Sequence, residues 1–347
     1  MTIRKESFGF LPNGREASVY VISSDKLTVK VSDFGAVTTG AILKDKNGVE
    51  RDVILGYPDL ESYMANPCCL GAIVGPSANR TANASFSIGN NTYYLEQNDN
   101  GNNLHTSKIY GIHKKLWDCE EITEKSVTFR LELFDGELGL PGNRTITVKY
   151  TVDDDKLDIE YRMFSDARTV FNVTNHAYLN LAGHNSGKIF DQYLQLKCDY
   201  YTPVREFLIT TGEVRSVKGT PMDFTAMKKI GRDFDLNDEQ LAICKGYDHN
   251  FVINDWDGRL RKFARAYCEE TGIELSAYTS RPGVQLYTGN YLNAEGGKDN
   301  TDYQENEGFC LETQFFPNSL NYGHFASSLI SPDVWHTSKT VYRFRVK

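Results

Sequence analysis

The sequence is poor in the patterns that commit a chain to a cofactor or a macromolecular partner. Its seven cysteines (Cys68, Cys69, Cys119, Cys198, Cys244, Cys268 and Cys310) are odd in number, scattered, and never spaced Cys-x-x-Cys. That argues against a disulfide frame and for reduced thiols in a cytoplasmic protein. Sequons such as Asn143-Arg144-Thr145 are then chance matches. No run of ~18 apolar residues occurs, and Met1 to Ser7 have no apolar signal core behind them, so no membrane span or leader is expected. There is no Gly-x-Gly-x-x-Gly and no P-loop to cradle a nucleotide phosphate. There is no His-Glu-x-x-His and no tight Cys/His cluster to hold a catalytic zinc. There is no Gly-x-Ser-x-Gly elbow for a serine nucleophile. Neither a metal nor a cofactor is expected. Positive charge is also short: 38 Lys and Arg face 46 Asp and Glu, a net −8. Such a surface repels nucleic acid and anionic lipid and otherwise serves solubility.

Alternation is abundant. Val127, Phe129, Leu131 and Leu133 are interleaved with Thr128, Arg130 and Glu132. A period of two buries one face of a strand and wets the other. Ile146 to Val152 and Leu157 to Met163 repeat the pattern around Asp153-Asp154-Asp155, which reads as a hairpin. Asp257-Gly258, after Phe251-Val252-Ile253, reads as a type I′ hairpin turn, and Glu269 to Gly272 as another turn. The chain closes on Tyr342, Phe344 and Val346, again alternating. Aromatics, at 12%, suit pleated surfaces and also sugar sites, since tyrosine offers an apolar face with a polar tip. Helical signals are few: Asp59 to Met64 after Pro58, and Leu236 to Ile243 with Asn237 as N-cap. No linker or internal repeat divides the chain. The expectation is one all-β domain over residues 1–347, a large antiparallel β-sandwich.

Polar segments stand between these strands. They are Gly75-Pro76-Ser77-Ala78-Asn79-Arg80; Asn98 to Leu104 with His105; Asn172-Val173-Thr174-Asn175-His176-Ala177-Tyr178-Leu179-Asn180-Leu181; Gly246-Tyr247-Asp248-His249-Asn250-Phe251-Val252; and Gly308 to Pro317 around Leu311-Glu312-Thr313-Gln314. In this order, with Leu140-Pro141-Gly142-Asn143 and Gly283 to Asn290, they resemble the galactose mutarotase (aldose 1-epimerase) family from about residue 25 to the C-terminus. The resemblance implies a single large β-sandwich with a sugar cleft, no cofactor, a free monosaccharide such as galactose or glucose as substrate, and a monomer or homodimer. Anomer exchange needs one group to take the proton of the C1 hydroxyl and another to protonate the ring oxygen. The resemblance assigns these roles to Glu312 as base and His176 as acid. It also implies that His105 bonds the sugar near its ring oxygen, and that Asp248, Arg80 and Asn79 bind hydroxyls. Tyr287 and Phe251 are candidates for an apolar wall.

Taken singly, each residue has a plainer reading. A lone histidine in a strand-rich protein is usually structural, and His113, His184, His324 and His336 keep that reading. His249 reads as a packing residue, Asp248 could be an Asx turn, and Arg80 could pair with a surface acid. Glu312 lies in the apolar run Phe309 to Phe316, where burial would raise its pKa. Two positions depart from the family pattern. Thr106-Ser107 stand where many members have two glycines after the histidine, so the backbone turn there loses its usual residues. Ser85 replaces a usual glycine before Phe86. The rival readings are a hexose-6-phosphate or disaccharide epimerase, a non-catalytic carbohydrate-binding sandwich, and a glycoside hydrolase using Asp248 with Glu312.

Overall fold

A computed structural model describes residues 2–347. Among the described residues there are two α-helices, of six residues each, and the rest of the regular structure is mainly antiparallel strand. Among the described residues no helix is long and apolar enough to cross a membrane.

The alternating stretches build a nine-stranded sheet. Its order is Asp118–Ile122, Ser126–Leu133, Arg144–Asp153, Lys156–Ser165, His336–Val346, Ile273–Thr279, Arg261–Tyr267, Tyr193–Leu196 and Lys228–Lys229. Val127, Phe129, Leu131 and Leu133 point into the core, as their period requires. The acidic hairpin is tighter than the sequence suggests. Asp153 pairs with Lys156, so only Asp154 and Asp155 form the turn.

A six-stranded sheet lies against this one, in the order Tyr178–Leu179, Phe309–Gln314, Gly283–Tyr287, Asp248–Val252, Tyr200–Thr202 and Arg215–Ser216. Tyr342 of the larger sheet donates its hydroxyl to the Leu311 carbonyl at 2.9 Å, and the Thr313 and Thr340 hydroxyls meet across the gap. A five-stranded N-terminal sheet (Thr2–Phe10, Glu16–Ser23, Thr28–Ser32, Thr38–Lys44, Glu50–Asp52) closes the other end of the core. There Tyr20 meets Phe129 edge to face at 5.3 Å.

Three readings of the sequence need correction. Asp257-Gly258 is not a hairpin turn. The strands on either side, Asp248–Val252 and Arg261–Tyr267, belong to different sheets, and the segment carries the chain between them. Positive φ falls on Asp255 and Gly258 rather than on two adjacent positions, as a type I′ turn requires. The first strand is buried on both faces apart from Val252, so it pairs centrally with the distant Gly283–Tyr287 rather than with its neighbour in sequence. The second helix is Glu239–Cys244, and its N-cap is Asp238, which accepts from the Gln240 and Leu241 N–H groups. Asn237 instead bonds Asp235. A carboxylate is well suited to the cap, because it also meets the positive end of the helix dipole. The first helix is Leu60–Ala65, with Asp59 outside it as the cap.

The register of the smaller sheet decides which side chains are left facing away from the core. In Phe309–Gln314 the Leu311 carbonyl and the Thr313 side chain engage the larger sheet, so Cys310, Glu312 and Gln314 point the other way. Paired residues share a face. One row across the sheet therefore runs Tyr178, Cys310, Tyr287, Asp248, and the next runs Glu312, Gln285, Asn250.

Candidate active site

The outer face of the six-stranded sheet is roofed by loops that leave a cavity of about 850 Å³. Asn79, Arg80, His105, His176, Asp248 and Glu312, far apart in sequence, all line it. Tyr287 also lines it, but Phe251 does not. Phe251 sits on the opposite face of its strand, packed against Tyr201 and Phe224, so period two removes it from the wall. His249 shares that inner face. Its Nδ1 accepts the Asp248 N–H and its Nε2 lies 3.7 Å from Cys244 Sγ.

His176 ends the short strand Thr174–His176, which pairs with Ala72–Val74. Beneath it Gly71 donates its N–H to the His176 carbonyl at 3.0 Å. Gly71 has φ +66°, and a Cβ there would lie 2.0 Å from the Thr38 carbonyl oxygen, so only glycine fits. The His176 ring stacks on Tyr178 with centroids 5.1 Å apart, and the edge of His105 meets it at 5.4 Å. Its Nε2 lies 3.8 Å from Glu312 Oε1 and its Nδ1 lies 3.6 Å from Cys310 Sγ. Both His176 and Glu312 are buried, and Glu312 Oε2 has no hydrogen-bond partner.

Burial sets the acidities here. The Glu312 carboxyl is pushed well above the ordinary 4.5 by desolvation and the nearby Asp248 charge, with Arg80 opposing. His176 is pushed down to about 4 by desolvation. The two shifts favour moving a proton from His176 towards Glu312, and the two groups titrate as a pair.

Arg80 sits between two carboxylates. Its Nε donates to Asp99 at 2.8 Å, and a terminal nitrogen lies 3.9 Å from Asp248. Gln285 donates to the other Asp248 oxygen at 2.7 Å. Burial raises the Asp248 pKa, while Arg80 and Gln285 hold the rise in check. The sequence reading passed over Asp99 and Gln285 and gave His113 a structural role, although His113 and Asp99 both line the cavity. Alternation was the available signal for Gln285, because it shares a face with Tyr287.

His105 is held as a donor. Its Nδ1 accepts the Asn79 N–H at 3.1 Å, and burial pushes its pKa well below 6.5. The neutral ring therefore carries its proton on Nε2. His105, His176 and Glu312 do present ligand atoms within 4.8 Å of one another, as a metal site would. Metal binding at His105 Nε2, however, would put a proton on Nδ1 facing the Asn79 N–H. The trio fits sugar oxygens better than a cation.

The turn after His105 survives without glycine. His105 and Thr106 adopt φ +54° and +69°, a costly conformation for a β-branched residue. Side-chain bonds hold it. Thr106 Oγ1 accepts the Ser77 N–H at 2.9 Å and donates to the Ser77 carbonyl at 3.2 Å, while the Asn103 amide clasps the Thr106 N–H and carbonyl. The hydroxyl ties the loop to the segment that leads into Asn79, which in turn fixes His105.

Two stability outcomes are expected. Thr106→Val keeps the shape but leaves the Ser77 N–H unpaired, and should cost about 1–3 kcal/mol in denaturant unfolding. Glu312→Gln removes a carboxyl whose folded pKa is raised. That carboxyl destabilises the fold increasingly as pH rises from 4.5 towards the folded value, and fully above it. The variant should therefore melt above wild type at pH 8, with the gap closing as pH falls to about 4.5.

The chain is similar to known proteins along nearly its whole length. The family profile described as Aldose 1-epimerase matches residues 18–343. Galactose mutarotase of Bos taurus is 36% identical over 349 residues, spanning 100% of this chain and 99% of its own. Aldose 1-epimerase of Escherichia coli is 31% identical over 343 residues, 98% of each chain. Among solved structures, a GalM/aldose epimerase homologue from C. elegans superposes with a TM-score of 0.88 at 29% identity, covering 95% of this chain and 99% of its own. Galactose 1-epimerase from Lactobacillus acidophilus gives 0.86 at 26%, covering 99% of each. With a family match over nearly the whole length and relatives above 30% identity, the chain belongs to the aldose 1-epimerase family.

Proposed function

We propose that this protein interconverts the α and β anomers of free aldohexoses such as galactose and glucose, with Glu312 as general base and His176 as general acid. The observation that carries the reading is the buried approach of Glu312 Oε1 to His176 Nε2, 3.8 Å, in the wall of the cavity. The relatives' names, galactose mutarotase and aldose 1-epimerase, support the same chemistry.

The productive form of the dyad is carboxylate and imidazolium. Glu312 takes the proton from the C1 hydroxyl while Nε2–H of His176 protonates the ring oxygen. The C1–O5 bond breaks and an open-chain aldehyde forms. The dyad is left as carboxylic acid and neutral imidazole, still holding one proton between them. Rotation about C1–C2 presents the other carbonyl face. The ring hydroxyl then returns its proton to His176, and Glu312 gives its own to the new O1. No proton is gained or lost over the cycle. His105, with Nε2–H aimed into the site, bonds the sugar near the ring oxygen and stabilises the charge that develops there. Arg80, Asp248 and Asn79 hold the remaining hydroxyls, and Asp99 keeps Arg80 in place.

The lining disfavours the rivals. Asp99 and Asp248 balance its cations, Arg80 and Lys108, and the one-proton dyad adds no net charge, so a sugar phosphate would find no surplus positive charge. Glu312 has a histidine beside it at 3.8 Å, which suits an acid–base pair of unlike groups rather than the two carboxyls of a glycosidase. A pure binding module needs no proton donor and acceptor set together as His176 and Glu312 are. We take the chain to act as one domain over residues 1–347, as a monomer or homodimer. Its seven free thiols are in keeping with cytoplasmic work.

Polarimetry of freshly dissolved α-galactose and α-glucose, in the presence of a chelator, tests the activity. Wild type should accelerate the approach to equilibrium, and no acceleration with any aldose would refute the reading. Glu312→Gln and His176→Asn should each lose on the order of 10²–10⁴ in kcat, with sugar binding kept within a few fold.

The one-proton dyad also predicts a bell-shaped kcat/KM profile. The rate should rise through a pH near 4 as a second proton leaves, and fall on the alkaline side as the last proton is lost from a carboxyl raised well above 4.5. A flat profile would contradict it.

A further inference from the structure

We propose that Cys310 is a positioning residue for His176: its sulfur accepts the Nδ1–H of the imidazole and keeps that proton in place, so that Nε2 alone exchanges a proton with the sugar. The inference rests on the assignment of His176 as the acid.

The contact is built by the fold. Cys310 and Glu312 are two apart on one strand and so share its outer face, and His176 Nδ1 reaches Cys310 Sγ at 3.6 Å while Nε2 reaches Glu312 Oε1 at 3.8 Å. The ring is thus set between two residues of one strand, one on each nitrogen. The main-chain oxygen of His176 accepts the Gly71 N–H and keeps a second lone pair that also favours a proton on the ring, so the sulfur and this carbonyl act together. Which nitrogen carries the permanent proton is decided by what the other side of the ring meets. In the catalytic cycle the imidazolium gives up its Nε2 proton and must keep the one on Nδ1. An acceptor is therefore needed at Nδ1, and thiol sulfur is one, although a weak one. Burial and the adjacent Glu312 and Asp248 charges keep Cys310 a neutral thiol.

The weakness of the acceptor has a purpose. A carboxylate at this position would stabilise the imidazolium and make it a poorer acid. A neutral sulfur orients the ring without strengthening its hold on the Nε2 proton. This suits an acid that must protonate a weakly basic ring oxygen, and it agrees with the lowered His176 pKa. A cysteine in the middle of a buried strand otherwise reads as a small hydrophobe.

The test is a tautomer measurement paired with kinetics. Protein carrying 15N-labelled histidine is examined by long-range 1H–15N correlation at neutral pH, with the His176 signal identified by its loss in His176→Asn. Wild type should show a protonated Nδ1 and a bare Nε2. Cys310→Ala should shift His176 towards the Nε2–H tautomer and lower kcat about tenfold, with KM within about twofold. Cys310→Ser, which restores an acceptor, should recover the wild-type tautomer and part of the rate. Cys310→Asp, if it folds, should raise the His176 pKa and lower kcat. An Nε2–H tautomer in wild type, or an unchanged tautomer in Cys310→Ala, would overturn the proposal. The wild-type spectrum alone decides the first point, even if the variants fold poorly. A changed tautomer with unchanged kcat would instead refute His176 as the acid, while the sulfur contact stood.

Discussion

Glu312 is an ionisable side chain almost wholly buried in the cavity wall, and among the described residues one of its carboxylate oxygens has no hydrogen-bond partner. Desolvating a carboxylate costs several kcal/mol unless it is paired or protonated. Much of the surrounding structure answers to that cost. His176 lies 3.8 Å from Glu312 and titrates with it. Arg80 contributes a positive potential from further off but is itself anchored by Asp99. Asp248 works in the opposite direction, yet it is restrained by Gln285 and Arg80. A sugar hydroxyl entering the cavity would find an acceptor that nothing else satisfies.

The six-stranded sheet makes such a group possible. A central strand fixes its backbone by hydrogen bonds on both sides, so a polar side chain can be held in an unfavourable setting without the strand rearranging. Cross-strand pairing then delivers Asp248, Tyr287, Cys310 and Tyr178 in one row and Glu312 and Gln285 in the next. The nine-stranded sheet backs this one through Leu311 and Thr313 and so settles which face is left for chemistry. The loops add what the sheet does not supply: His105 on a turn clamped by Thr106, and His176 seated over a glycine that allows close approach.

Much of this was legible in the sequence, for identifiable reasons. Strands such as Ser126–Leu133 and Arg144–Asp153 alternate because one face is buried and the other is wet, and alternation survives any tertiary arrangement. The polar segments stood out against those strands, and their resemblance to one family ordered them. The local rules failed where a segment was buried on both faces. Asp248–Val252 lost its alternation to double burial, and the Asp257-Gly258 signal after it marked a passage between sheets. Phe251 looked like a wall residue because composition says nothing about which face a strand presents. The missing glycines after His105 put the shape of the loop in question, and side-chain hydrogen bonds hold a positive-φ turn there.

The sequence by itself determined the β class, the absence of nucleotide and zinc-protease motifs, and the residue types available for acid–base work. These depend on period, composition and short spacings, which are local properties. Tertiary structure alone decided that Glu312 and His176 lie 3.8 Å apart although 136 positions separate them, that His105 faces the site as a donor, and that Cys310 stands behind the histidine. Those relations arise from strand pairing and sheet packing between distant segments. Desolvation, which sets the acidities, exists only once the chain has excluded water from around them.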